Sequence, residues 1–139
     1  MSVRGNFNAL ENLGASMRTL PIKMRAQAGK VLGQEAMRLL AEGFQRERDP
    51  YGHRWASLKH RQGKILRDTG RLRNSFFARP SALGFVVSTS VGYAGFHQLG
   101  TENMPRRMML PSGQLGPIWT DGLNAAANKL MQRWVSGRG

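Results

Sequence analysis

The chain has 139 residues, enough for one compact domain but too few for two ordinary ones, and we predict a single domain over residues 1–139. It contains no cysteine, so disulfide bonds and thiolate metal sites are excluded. Its 21 Lys and Arg against 8 Asp and Glu give a formal net charge of +13, a self-repulsion that a polyanion or an acidic partner surface would offset.

Neither membrane insertion nor secretion is indicated by the sequence. Hydrophobic residues make up 40% of the chain, which is enough for a modest core. No apolar run approaches the roughly 20 residues that span a bilayer, and residues 1–10 lack the apolar run of a signal peptide. We therefore expect synthesis in a reducing cytoplasm and no membrane partner.

The positive charge is concentrated in one part of the sequence. Residues 46–79 contain ten Lys and Arg against three acidic residues, a net charge of +7, whereas residues 80–105 contain no basic residue and one acidic residue, Glu102. Such a stretch can be a solvated face that keeps a small protein soluble, or a surface that faces nucleic acid or an acidic protein. We favour the second interpretation.

The N-terminal part is predicted to be helical. Residues 6–19 carry apolar side chains at steps of three to four, which indicates a short amphipathic helix. Over residues 22–44 the apolar side chains form one stripe, which predicts a long helix. Pro21 suits the first turn of that helix, where its missing N–H costs nothing.

An extended basic loop is predicted next, over about residues 46–64. Pro50 and Gly52 favour a turn that ends the long helix. Residues 53–64 are basic and show no apolar period, and Trp55 is their largest apolar side chain. We predict an ordered loop that Trp55 attaches to the core.

A short helix is predicted after this loop. Asp68 or Thr69 can cap it, and Pro80 would end it. The side chains that we expect to face inward from it are Leu72, Phe76 and Phe77.

The following segment predicts a strand and a helical turn. Residues 84–91 are rich in β-branched side chains, which favours a strand, and the extended residues 104–111 are expected to pair with it. Residues 93–99 predict one or two helical turns, with Phe96 and Leu99 facing inward and Gly100 at their end.

The C-terminal part predicts a second long helix. Apolar residues recur at steps of three and four from Trp119 to Trp134, over four turns, and residues 136–139 are expected to fray. The fold class predicted is α+β, with the long N-terminal helix and the C-terminal helix packed on a small antiparallel β-sheet.

The sequence contains few residues at the spacings that catalytic sites require. No two of the acidic residues have a spacing that suggests paired acid and base catalysis, and His53 and His60 would need two further ligands to hold zinc. His97 could act as a general base, but the sequence around it suggests no nucleophile that it would activate. We expect no enzyme activity, no cofactor and no metal.

Nucleic-acid binding is compatible with the basic stretch. Its Arg and Lys residues can contact phosphates, and Tyr51 and Trp55 offer aromatic faces. No helix-turn-helix, zinc finger or RNA-recognition motif is present, so any contact with DNA should be independent of base sequence.

Four sequence blocks carry a resemblance to a known family. They are DPYGHRWASLK from residue 49, ILRDTGRLRNSF from residue 65, VGYAGFHQLGT from residue 91 and MPRRMMLP from residue 104. In this order and at this spacing they resemble the tail-completion (virion morphogenesis) proteins of Mu-like tailed phages. Met108 and Met109 depart from the family pattern, which often has an aromatic residue there; methionine adapts to irregular surfaces.

The resemblance implies a structural protein of the head–tail junction, in the virion and made in the bacterial host cytoplasm. Related neck proteins form rings, commonly of six copies, around the channel through which DNA passes. The partners implied are further copies of the chain, neighbouring neck and tail proteins, and DNA in transit without sequence preference.

Two sets of site residues follow from the blocks and the charge pattern. We expect contacts with another subunit or a partner protein at Trp55, Tyr93, His97, Gln98, Arg106, Arg107, Met108 and Met109. We expect the DNA channel or an acidic partner to be faced by Arg54, Lys59, Arg61, Lys64, Arg67, Arg71 and Arg73. The alternative function is a free basic protein that binds nucleic acid without sequence preference.

Overall fold

A computed structural model of the chain describes residues 19–58, 63, 66, 70–81 and 84–137. The helix predicted over residues 6–19, apart from its last residue, and the cap predicted at Asp68 or Thr69 lie outside the described residues. In chain order the described elements are helix α1 (Ile22–Arg46), a 3-10 turn (Arg73–Ser75), strands β1 (Phe76–Ser81) and β2 (Gly84–Thr89), and helices α2 (Ala94–Leu99) and α3 (Gly116–Val135).

Helix α1 confirms the predicted long helix and is two residues longer at its C-terminal end. Pro21 precedes it, and the carbonyl oxygen of Pro21 accepts the N–H of Arg25. The helix ends where Glu47 adopts a left-handed conformation, with φ of 54°, and the N–H of Arg48 bonds the carbonyl oxygen of Gly43. Its apolar stripe is buried, and Phe44 is 1% exposed.

The two strands form an antiparallel hairpin whose register runs from Phe76 opposite Thr89 to Ser81 opposite Gly84. The predicted small antiparallel sheet is therefore confirmed, but one of its two strands is not the segment that was predicted. The prediction that residues 104–111 pair with the strand was wrong, because β1 occupies that position. In the described part of the chain, the bridge between Thr101 and Met104 is the only ladder contact near that segment.

The prediction of a short helix that ends at Pro80 was also wrong. After three residues of 3-10 turn the chain extends, and Phe76 is 7% exposed while Phe77 is 47% exposed. This alternation is that of a strand, whose successive side chains point to opposite faces. The side chain of Phe77 therefore does not face inward as predicted.

Helix α1 lies between the hairpin and helix α3. On the hairpin side the approach is so close that a Cβ at Gly29 would lie 2.5 Å from the carbonyl oxygen of Gly84. On the other side α3 runs antiparallel to α1, since Gly122 lies against Leu39 while the indole of Trp134 bonds the side chain of Gln27. The predicted α+β class is thus confirmed, and within it α3 packs on α1, which separates α3 from the hairpin.

Helix α3 confirms the predicted C-terminal helix and begins three residues before Trp119. Leu123, Ala127 and Leu130 are buried along one face. No described helix combines the length and apolarity that a membrane-crossing segment requires.

Helix α2 confirms the predicted helical turns, and Gly100 ends them. The prediction that Phe96 and Leu99 face inward was wrong, since these side chains are 58% and 72% exposed. Ala94 and Gln98, one turn apart, face the protein instead. The two large apolar side chains are consequently directed to solvent.

Candidate functional site

Three of the four sequence blocks meet in one region, where the loop over residues 47–58, helix α2 and residues 104–115 are joined by hydrogen bonds. Within the loop, the carboxylate of Asp49 accepts the N–H groups of Tyr51 and His53 at 2.8 and 3.0 Å, which closes the turn at Pro50. The N–H of Trp55 bonds the carbonyl oxygen of Glu47 at 2.8 Å. The turn thereby directs the Trp55 side chain into the core.

Two aromatic residues attach the loop to residues 104–115. The ring of Trp55 packs edge-on against Phe44, with 5.4 Å between ring centroids, and its indole N–H donates to the carbonyl oxygen of Met108 at 2.9 Å. The Tyr51 hydroxyl accepts the N–H of Ser112 at 3.0 Å and lies 2.6 Å from the carbonyl oxygen of Gln114. The loop therefore has an ordered position on the core.

Gln98 binds helix α2 to the same segment. Its amide oxygen accepts the N–H groups of Met109 and Leu110 at 2.8 and 3.1 Å, and its amide nitrogen donates to the carbonyl oxygen of Leu110 at 2.7 Å. One side chain thus satisfies three backbone groups that no strand partner satisfies. Gln98 holds α2 in a fixed orientation.

Two arginines complete the junction between these segments. Arg107 is 7% exposed, and its guanidinium donates to the carbonyl oxygens of Ala56 and Ser57 at 2.9 and 3.0 Å. The exposed side chain of Arg106 donates to the carbonyl oxygen of Gln98 at 3.0 Å. Arg107 is therefore a connecting residue inside the protein, whereas Arg106 lies at its surface.

The outer side of helix α2 is an apolar patch formed by Tyr93, Phe96 and Leu99, which we call the α2 patch. The guanidinium carbon of Arg71 lies 5.8 Å from the centroid of the Tyr93 ring, and His97 contacts that ring edge-on at 6.0 Å. Burial, and next the charge of Arg107, hold the pKa of His97 below its ordinary value. The side chains next to the patch therefore include a histidine whose neutral form is favoured.

Comparison of the sequence with known proteins identifies its family. The sequence model of the phage virion morphogenesis family matches residues 6–130, a range that includes all four blocks. The chain belongs to the phage virion morphogenesis family. No curated protein and no solved structure matches it.

Membership indicates that the protein has a structural role in building the phage particle. Among the described residues, no group of three or more His, Asp or Glu side chains could hold a metal ion. His53, which we considered as a zinc ligand, lies 3.3 Å from the Asp49 carboxylate, and His60 falls outside the described residues.

The residues that we predicted at a subunit contact are close together in this morphogenesis protein, but they differ in exposure. Tyr93 and Arg106 are exposed, and His97, Gln98 and Met108 are half-buried. Three others lie in the protein's own interior: Trp55, Arg107 and Met109. As folded here, these three can influence a contact only by positioning the exposed side chains.

The predicted DNA-facing set can be placed only in part. Arg54 and Arg71 are exposed and Arg73 is half-buried, while Lys59, Arg61, Lys64 and Arg67 lie outside the described residues. Part of the basic stretch is compensated, because the Glu42 carboxylate lies 2.9 Å from Arg48 and 3.5 Å from Arg46.

Sequence reasoning missed the exposed residues that dominate the site. Phe96 and Leu99 were expected in the core because apolar residues usually are. The signal that could have placed them outside is Gln98, a polar residue one turn after Ala94, which shares its face of the helix.

Proposed function

We propose that this protein is a ring-forming component of the phage head–tail junction, which completes the tail or joins it to the head and surrounds the DNA channel. The observation that carries this proposal is the α2 patch. Phe96 and Leu99 are exposed on a helix that Gln98 fixes by three hydrogen bonds. A rigid, exposed apolar group is what a protein–protein contact buries at its centre.

Charge also favours this patch as the place where two copies meet. Copies that each carry +13 repel one another, and the repulsion is weakest where cations are fewest. The patch falls within residues 80–105, which contain no basic residue. The arginines at its edge, Arg71 and Arg106, are held against Tyr93 and the carbonyl oxygen of Gln98. Association through this patch therefore places the least charged part of one copy at the contact with the next.

A ring follows if the patch of one copy packs on a different surface of the next. Such a heterologous contact generates a closed ring when its rotation closes. Six copies is the number implied by the resemblance to neck proteins. We further propose that Arg54, Arg71 and Arg73 face the channel or an acidic neighbour, where weak contacts with phosphates would let DNA slide.

The test is native mass spectrometry of the purified chain, together with electron microscopy of phage particles that carry a label on it. A closed ring in solution or at the neck of the particle is expected. A chain that is monomeric both alone and in particles would contradict the proposal.

A second candidate function is free nucleic-acid binding, which the net charge of +13 favours. It predicts that the isolated chain binds duplex DNA, with an affinity that falls steeply between 50 and 200 mM salt. Fluorescence anisotropy with a labelled duplex measures this, and the absence of binding at 50 mM salt would exclude it.

A further inference from the structure

A second surface, distinct from the α2 patch, lies along helix α1. A groove of about 580 Å³ runs between α1 and α3, and one of about 380 Å³ runs between α1 and β1. Gln34 lines both grooves, so they are neighbours separated by the α1 backbone. We call this surface the α1 face.

The α1 face carries a concentration of positive charge whose residues are far apart in the sequence. Among the described residues, one carboxylate and five exposed cationic side chains line the grooves, the cations being Lys30, Arg38, Arg79, Lys129 and Arg133. The carboxylate is Glu35, and Arg38 already binds it at 2.6 Å. Among the described residues, the other four cations form no ion pair. The face therefore has a strong excess of positive charge.

The floors of the two grooves are apolar. Val31 and Leu130 line the α1–α3 groove, while Met37 and Pro80 line the α1–β1 groove. None of the described residues that line the grooves is aromatic, so these residues offer no platform on which bases stack. A DNA phosphate would gain from the cations but not from the apolar floors, whereas an amphipathic peptide segment gains from both.

We propose that the α1 face is the docking surface for an acidic, amphipathic segment of another protein of the phage particle. Its apolar side chains enter the grooves and its carboxylates meet the five cations. A second copy of this chain does not fit this description, because no continuous stretch of the sequence has a net charge below −1. The proposal rests on the proposed function in one respect, which is that the partner is taken to be a neighbour in the particle.

The first test uses the purified full-length chain and a synthetic helical peptide with glutamate on one face and leucine on the other. We expect binding by isothermal titration calorimetry that Lys129→Glu with Arg133→Glu weakens by about tenfold or more, as the loss of close charge pairs does. The matched control is Lys23→Glu with Arg46→Glu, which makes the same charge change on α1 at residues that line neither groove. We expect the control to change affinity less than about threefold, because exposed charges outside the grooves contribute little.

Three results of this test would overturn the proposal. They are no peptide binding at 50 mM salt, an equal loss in the test and control variants, and tighter binding of a 20-base-pair duplex than of the peptide. Thermal unfolding of both variants shows whether each is folded at the temperature of the titration.

The second test places a photo-crosslinking amino acid at Gln34 during phage assembly, with the exposed Gln132 of α3 as the control position. A cross-link from position 34 to an acidic segment of another virion protein is the expected result. Cross-links to DNA or to a second copy, or no cross-link in particles that contain the chain, would overturn the proposal. If the chain is absent from particles, the proposed function fails, and the peptide titration still decides the docking surface.

Discussion

The indole N–H of Trp55 donates a 2.9 Å hydrogen bond to the carbonyl oxygen of Met108, and this bond joins segments that lie 53 residues apart in the chain. The ring that carries the donor packs against Phe44 of the long helix α1. One side chain thus connects the core, the basic loop and the segment that Gln98 ties to helix α2. The orientation of the α2 patch depends on this connection.

Trp55→Phe should lower the free energy of unfolding by about 1–3 kcal/mol, because the carbonyl group of Met108 loses its donor and the smaller ring leaves space. Urea unfolding measures the change. Trp134→Phe is the control, since it removes a bond of equal length to the side chain of Gln27, which can turn to water instead. Equal losses for the two variants would contradict the role given to Trp55.

Gln98→Leu should remove the acceptor of two backbone N–H groups, those of Met109 and Leu110, and destabilise the protein by about 2 kcal/mol or more. Hydrogen exchange gives a local readout, because both amides should lose protection. Gln98→Glu keeps one acceptor oxygen for these amides but turns the donor to the Leu110 carbonyl into a second acceptor, so its protection should lie between those of the wild type and Gln98→Leu. Gln132→Leu makes the same change as Gln98→Leu at an exposed site and should leave both measurements near the wild type.

Gly116→Ala should cost more than Gly113→Ala, although both glycines have φ near 77°. A Cβ at Gly113 meets nothing within 4 Å, so that variant carries only the cost of left-handed backbone, roughly 1–2 kcal/mol. A Cβ at Gly116 would lie 2.6 Å from the ring of Tyr51.

Urea unfolding in a Tyr51→Ala background tests whether the Tyr51 ring causes the larger loss of stability at Gly116. There the two glycine variants should cost nearly the same, because the clash has been removed. If Gly116→Ala still destabilises the protein more than Gly113→Ala when the Tyr51 ring is absent, the difference comes from the backbone at Gly116 instead.

Lowering the pH should destabilise the protein through His97. Its pKa in the folded state lies below the ordinary value, because of burial first and of Arg107 second. As the pH falls below about 6.5, the unfolded chain binds a proton that the folded chain does not, so stability is lost until the folded pKa is passed. His97→Gln should flatten the fall of the urea midpoint between pH 7 and 5. A nuclear magnetic resonance titration that puts the His97 pKa above 6.5 would contradict this.

The elements that sequence periodicity predicts are those whose pattern spans several turns. Helices α1 and α3 repeat their apolar residues over four turns or more, and a pattern of that length favours a helix over a strand. Phe76 and Phe77 are not part of such a repeat. Adjacent apolar residues fit the end of a short helix or a strand, and pairing with β2 decides between them.

The sequence predicted which residues belong to the site but not how they are arranged. The blocks around Trp55, Gln98 and Met108 were named from the family resemblance, yet the bonds that join them cross more than 50 residues or depend on side-chain direction. The α1 face shows the same limit, since Lys30, Arg79 and Lys129 come from three elements that only packing brings together. Local patterns contain no information on such distant pairs.

Phe96→Asp with Leu99→Asp should abolish self-association while leaving the stability of the monomer nearly unchanged. Both side chains are mostly exposed, so their replacement leaves no cavity in the core. Aspartate also lowers the net charge of +13, which reduces repulsion between copies. A loss of association in this variant therefore comes from the loss of apolar contact.

Ile22→Asp with Val135→Asp is the matched control. These residues are 78% and 89% exposed and lie at the ends of α1 and α3, so the chemical change is the same outside the α2 patch. Analytical ultracentrifugation should show the ring for this control and a monomer for the Phe96 and Leu99 variant. The reverse result would place the contact between copies at the helix ends, because both variants replace two exposed apolar side chains with aspartate, at different places on the protein.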